Sequence, residues 1–185
     1  DELGLRFMRR RPRAPEIRVL TEVESVVGAC MAVRAQAIRD AGSLDNDFFF
    51  YFEETEWCHR LRRHGWKILV EPAARITHLK GVSTRGKRRG AQIEMLRSRL
   101  LFYFKTMPLA AALPLAAYRI TRLLLNMLVQ ALLLLATLGL AARVRERAMI
   151  YLLQVGWLLR GCPEHWGLPD KCPRHRATMT ASPRA

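Results

Sequence analysis

Up to about residue 90 the chain alternates short apolar blocks with polar and glycine-containing stretches; beyond it, long apolar runs at helical spacing take over. Val26 to Val33 is a run of β-branched and small residues that predicts a buried strand. Residues 35–41 predict one or two helical turns ended by Gly42. Glu53 to His64 predicts a helix with Trp57, Cys58 and Leu61 on one face and Gly65 as its stop. Lys67 to Val70 and Arg75 to His78 predict two further short strands separated by Pro72. Strands alternating with helices point to part of an α/β domain.

The pattern of residues 91–160 is helical almost throughout. Between Thr106 and Ala142 the only charges are Arg119 and Arg122, and Leu123 to Ala142 carries none, a run long enough to cross a bilayer as a helix. At about 100° per residue, Arg119, Arg122, Asn126, Gln130 and Thr137 fall in one narrow arc of an otherwise apolar surface. Three arrangements fit that stripe: a transmembrane helix turning it toward protein, an in-plane helix sunk in one leaflet, or a helix buried in a soluble bundle. Arg97, Arg99 and Lys105 precede the run and Arg143, Arg145 and Arg147 follow it, which gives the positive-inside rule little asymmetry to act on. Nine basic residues against the single acid Glu146 between 97 and 160 suit an anionic lipid surface better than a soluble bundle.

Charge sharpens this picture. The net charge of +15 requires an anionic partner or surface, which nucleic acid, anionic lipid and a phosphorylated substrate would all satisfy. Six arginines among the first eighteen residues, interrupted by Pro12 and Pro15, resemble no secretory leader and suggest a surface loop of something longer. Residues 161–185, rich in Pro, Arg and small polar residues, predict a disordered tail. Four cysteines imply no disulfide framework. Cys162 with His165 and Cys172 with His175 are the right ligand types for zinc, but the two pairs are closer together than in a usual finger.

The chemistry-bearing stretch centres on the aromatic run Phe48 to Phe52 leading into Glu53 and Glu54 at a predicted helix start. Carboxylates there complement the free N–H groups and the helix dipole. Two adjacent carboxylates beside a wall of aromatic rings are less ordinary, because partial desolvation and mutual repulsion raise the pKa of one, which suits a general base.

In order along the chain stand Gly28-Ala29, Gly42-Ser43-Leu44-Asp45-Asn46-Asp47-Phe48-Phe49, Glu53-Glu54-Thr55-Glu56-Trp57-Cys58-His59-Arg60, Gly65-Trp66, His78 and Gly81-Val82-Ser83. This concatenation resembles the carboxyl-terminal half of the GT-A catalytic domain of family-2 glycosyltransferases, especially the rhamnosyltransferase-like bacterial members, over roughly the first ninety residues. The resemblance implies an α/β fold: a partial GT-A domain over 1–90, followed by long, mainly apolar α-helices that associate with membrane over 91–160. It implies an inverting transfer from a nucleotide-diphosphate sugar to a cell-envelope glycan or lipid-linked acceptor, at the cell membrane with the catalytic part on the cytoplasmic side.

By the same resemblance the catalytic base is the second acid of the pair, Glu54, with Glu53 beside it. The family has Asp at that position, so the carboxylate here is one methylene further out, where a displacement of about 1 Å is able to cost on the order of 10²-fold. Gly28 and Ala29 would leave room for a sugar beside the backbone, and Asp45 would bind the acceptor or cap a turn. Lys80 to Gly90, with five basic residues and no acid, would form a lid in which Arg85 and Lys87 neutralise the departing diphosphate, or a plain solvated loop. His78 would complete a divalent-metal site, Mg or Mn, whose Asp-x-Asp partners belong to the donor-binding half. No such half stands upstream in these residues, so the resemblance implies a partial domain that is inactive unless a donor half is supplied. The rivals are a non-catalytic membrane-anchored scaffold and a basic nucleic-acid-binding protein. The second is disfavoured because the arginines are not interleaved with exposed aromatics.

Overall fold

A computed structural model describes residues 17–79, 81–82 and 84–168. The arginine cluster before residue 17, Lys80 and Ser83 of the basic loop, the predicted tail beyond 168, and the Cys172–His175 half of the zinc motif lie outside the described residues.

The described structure is mostly helical. A two-stranded antiparallel sheet joins β1 (Thr21–Val23) to β2 (Ile68–Val70), in the register Thr21↔Val70, Glu22↔Leu69 and Val23↔Ile68. Two helices lie between them in sequence, α1 (Ala35–Ala41) and α2 (Glu53–Arg63). Three long helices follow: α3 (Arg88–Thr106), α4 (Leu109–Ala136) and α5 (Ala142–Leu159).

Two elements expected as strands do not form. Residues 26–33 run as turn and irregular chain, and 74–79 form no strand or ladder. The apolar side chains of the first segment are used differently: Val26, Met31 and Val33 pack on a small core of Ala37, Ala41, Trp57, Cys58, Leu61 and Ile68. A full α/β sheet is therefore not seen among the described residues.

Side-chain hydrogen bonds lock the two short helices together. Gly42, at φ 78°, ends α1 in a conformation that glycine adopts without strain. The Trp57 indole donates to its carbonyl at 2.8 Å, and Arg60 donates to the Ala41 and Ser43 carbonyls while pairing with Glu56 at 2.8 Å. The orphan carbonyls at the end of α1 are thus satisfied by α2.

The second core joins α3, α4 and α5 through Ile93, Leu96, Leu123 and Trp157. The uncharged run that looked continuous to Ala142 is broken: α4 stops at Ala136, where Leu138 and Gly139 adopt positive φ and Gly139 N–H closes on the Leu134 carbonyl at 2.8 Å. The chain then reverses into α5, and Arg145 donates to the Gly139 carbonyl at 2.6 Å.

Residues 161–168 are folded against this bundle. Glu94, fully buried on α3, pairs with Arg97 at 2.5 Å and accepts the Leu168 N–H at 3.3 Å. Arg97 in turn donates to the carbonyls of Pro163 and Trp166 and lies over the Trp157 ring. The buried Glu94–Arg97 pair thus ties the 161–168 segment to α3 through the Leu168 amide and the Pro163 and Trp166 carbonyls.

On α4 the polar stripe turns inward. Arg119, Arg122 and Asn126 face a cleft shared with α3 and α5, and Gln130 is buried, whereas Leu113, Leu124, Leu125, Leu128, Leu132 and Leu135 are exposed. The helix is long and apolar enough to cross a membrane, and only 11% of its most apolar window is covered by protein. Of the three arrangements, burial in a soluble bundle is the one this exposure disfavours.

Candidate functional site

The aromatic run folds into a tight corner. Tyr51 and Phe52 both have left-handed backbones (φ 69° and 68°), costly for bulky residues and sustained by surrounding contacts. Phe52 is the residue from which α2 departs, and its carbonyl accepts the Glu56 N–H at 2.8 Å. The corner is braced from α3: the Ser98 hydroxyl bonds the Phe50 carbonyl, Phe102 packs on the Phe52 ring at 5.4 Å, and the Arg99 guanidinium lies 5.5 Å above the same ring.

The corner sets Glu53 and Glu54 on the first turn of α2, both half-buried. Glu54 lies along the backbone of Gly28. A Cβ at position 28 would stand 3.4 Å from Glu54 Cβ and 3.7 Å from its carboxyl carbon. One carboxylate oxygen of each glutamate is buried without a hydrogen-bond partner among the described residues. Burial, with the neighbouring Glu54 charge adding to it, pushes the Glu53 pKa above its ordinary value against a backbone hydrogen bond that lowers it. The two carboxylates thus stand side by side in a partly dry setting.

The other candidates divide. Gly28 and its neighbour Ala29 are exposed beside Glu54. Asp45 is engaged within the chain: it accepts the Asp47 N–H at 3.0 Å and pairs with Lys105 of α3 at 2.6 Å. Burial works to raise its pKa but is outweighed by those bonds and by the charges of Lys105 and Arg60, so the pKa falls. Arg85 and Lys87 are exposed on the basic loop. Lys87 and its neighbours through Gly90 line an open cleft of about 500 Å³, closed on one side by Glu146, which pairs with Arg89 at 2.6 Å. His78 is exposed, and among the described residues no three His, Cys, Asp or Glu side chains gather to hold a metal. A divalent cation thus finds no complete ligand set among them.

Ser98 and Phe102 were not singled out from sequence, and Lys105 was noted only as a basic residue before the apolar run. Their partners Phe50, Phe52 and Asp45 lie 48 or more residues away, and no local pattern marks them.

Comparison with known proteins gives partial matches. Two N-acetylglucosaminyl-diphospho-decaprenol L-rhamnosyltransferases, from two strains of Mycobacterium tuberculosis, are each 35% identical over 57 residues, 31% of this chain and 19% of theirs. The low-salt glycan biosynthesis hexosyltransferase of Haloferax volcanii is 37% identical over 49 residues, 26% of this chain and 16% of its own. Part of the chain is related to glycosyltransferases. The matched region spans about a fifth of the length of these relatives. No family model and no solved structure matches the chain.

Proposed function

We propose that residues 17–79 form the acceptor side of an inverting glycosyltransferase site, with Glu54 as general base and Glu53 as the acid beside it. Glu54 takes the proton of an acceptor hydroxyl; that oxygen bonds the anomeric carbon of the sugar; the bond to the nucleoside diphosphate breaks with its electron pair, and the configuration inverts. The observation that carries this reading is the half-buried Glu54 laid over Gly28, with a carboxylate oxygen that nothing among the described residues satisfies. A buried acceptor without a partner is costly, and a ligand hydroxyl would complete it.

The relatives support the substrate class, a nucleotide sugar as donor and a glycan or lipid-linked acceptor. In this proposal the donor nucleotide and any Mg or Mn are held mainly by a donor half outside the residues described, with His78 as one ligand. The exposed face of α4 keeps the site at the membrane, with the catalytic part on the cytoplasmic side.

The test is sugar transfer in membranes from cells that co-express the protein with the donor-binding half of a related glycosyltransferase, with labelled nucleotide sugars and polyprenyl-diphosphate acceptors. Glu54→Gln is expected to lower transfer about 10²- to 10⁴-fold, the usual range for a positioned base. Glu54→Asp, which restores the shorter acid of the resembling family, should retain part of it. Transfer that is absent, or indifferent to Glu54, overturns the proposal. The alternative would then be a membrane-anchored scaffold, favoured by one observation: neither described cleft is lined by the glutamate pair.

A further inference from the structure

A second cleft, of about 290 Å³, opens between α3, α4 and α5. Three guanidinium groups line it, Arg99 from α3 and Arg119 and Arg122 from α4, together with the polar side chains of Asn126, Tyr151 and Gln154. No carboxylate lines the cleft or pairs with any of the three arginines among the described residues. The basic-loop cleft differs in this respect, since Glu146 already answers its charge.

Like charges gathered around one cleft repel; Arg99 and Arg119 are partly buried there and Arg122 is exposed at its edge. Burial pulls the Arg99 pKa down, and the charges of Arg119 and Arg122 pull it further. The contacts that the arginines do make are weak: Arg122 donates to the Tyr118 hydroxyl at 3.3 Å, and Arg99 reaches the Met95 sulfur at 3.7 Å. The Arg119 Nε is buried with no acceptor among the described residues. An unpaired buried cationic donor costs more than a neutral one, and an anion entering the cleft would offset both this cost and the repulsion. Planar guanidinium forks match phosphate oxygens better than any other side chain does.

Position narrows the anion. The cleft lies on the inner face of α4, whose outer face displays Leu124, Leu125 and Leu128 to the surroundings. A ligand with an anionic head and an apolar chain meets both surfaces at once. Arg99 also lies over Phe52, the residue immediately before Glu53, so the cleft adjoins the corner that positions the glutamates.

We infer that Arg99, Arg119 and Arg122 bind the diphosphate of a polyprenyl-diphosphate lipid. The choice of a polyprenyl diphosphate among anionic lipids, and its role as the acceptor, rest on the function proposed above; the anion site itself does not.

The test is binding of the purified full chain to phosphatidylcholine vesicles carrying a few per cent polyprenyl diphosphate. Vesicles carrying phosphatidylglycerol at equal charge and inorganic pyrophosphate in solution serve as comparisons. The diphosphate lipid is expected to bind more tightly than either. Arg119→Gln and Arg122→Gln should each weaken it about tenfold or more, while Arg122→Lys retains part of the affinity. Without ligand these glutamine variants should melt no lower than the parent, since each removes a repelling charge, which separates lost binding from lost folding. Equal affinity for phosphatidylglycerol, or indifference to the three arginines, overturns the site. Pyrophosphate binding as tightly as the lipid overturns its assignment to a lipid-linked ligand. Glu54→Gln should leave this binding intact, so failure of transfer and failure of the site are read separately.

Discussion

The Ser98 hydroxyl on α3 donates a 2.8 Å hydrogen bond to the carbonyl of Phe50, across 48 residues of sequence. It fastens the helical bundle to the corner from which α2 departs, alongside the Lys105 pair with Asp45. Tyr51 and Phe52 are held at positive φ immediately after it. Such backbone persists only where neighbours over-determine it, and Ser98 is buried beneath the corner. Ser98→Ala leaves the Phe50 carbonyl without this donor and should cost about 1–3 kcal/mol in chemical denaturation. A cost near zero would mean that the corner holds itself.

Glu53 gives a pH signature with a defined sign. Its folded pKa is raised, so the native state holds this proton more tightly than the unfolded chain does. Its contribution to stability is therefore fully present below the unfolded value, 4.5, and is lost as pH rises through the folded one. Glu53→Gln removes the charge that burial penalises. The variant should melt higher than the parent at pH 7, and the difference should shrink toward zero by pH 4. Melting curves of both proteins across that range, taken as a difference, cancel the other carboxylates. A difference that grows on acidification would contradict the assignment.

Gly90, near the start of α3, has no room for a side chain, because a Cβ there would collide with the Gly167 carbonyl. Both partners are backbone, so relief requires the 161–168 segment to move. Gly90→Ala should cost about 1–3 kcal/mol, as overpacking does. It should also speed hydrogen exchange at the Leu168 amide, which donates to Glu94. Slow exchange retained in the variant would show that the segment is anchored without this contact.

The sequence was most legible where local rules suffice. Glu53 at a helix start, Trp57, Cys58 and Leu61 on one face, and glycine at the stop are enough to specify α2. The run at 26–33 misled because a strand needs a partner: β2 pairs with Thr21–Val23 instead, and Val26, Met31 and Val33 serve the core from irregular chain. The end of α4 was hidden among leucines, although Gly139 is a stop signal in retrospect. The closeness of Gly28 to Glu54 has no local pattern; the family resemblance implied only room for a sugar beside Gly28, not this contact. The polar arc on α4 was read correctly as an arc, but the identity of what it faces, Arg99 and Gln154 among others, depends on how three helices pack.

That arc also supplies a test of membrane association. Leu128 and Gln130 are two positions apart on α4 yet lie in opposite settings, Leu128 55% exposed and Gln130 8%. If lipid covers the outer face, Leu128→Lys puts a charge into hydrocarbon at a cost of about 3 kcal/mol, and vesicle flotation should fall steeply. Gln130→Leu changes a side chain that faces protein and whose amide oxygen has no partner, so flotation should not change and stability should hold or rise. The contrast matters because added positive charge on a surface-bound helix would strengthen attraction to anionic lipid. Flotation on anionic vesicles that is unchanged or increased for Leu128→Lys would therefore mean that the leucine face does not enter the bilayer and that the arginines alone hold the chain to the surface.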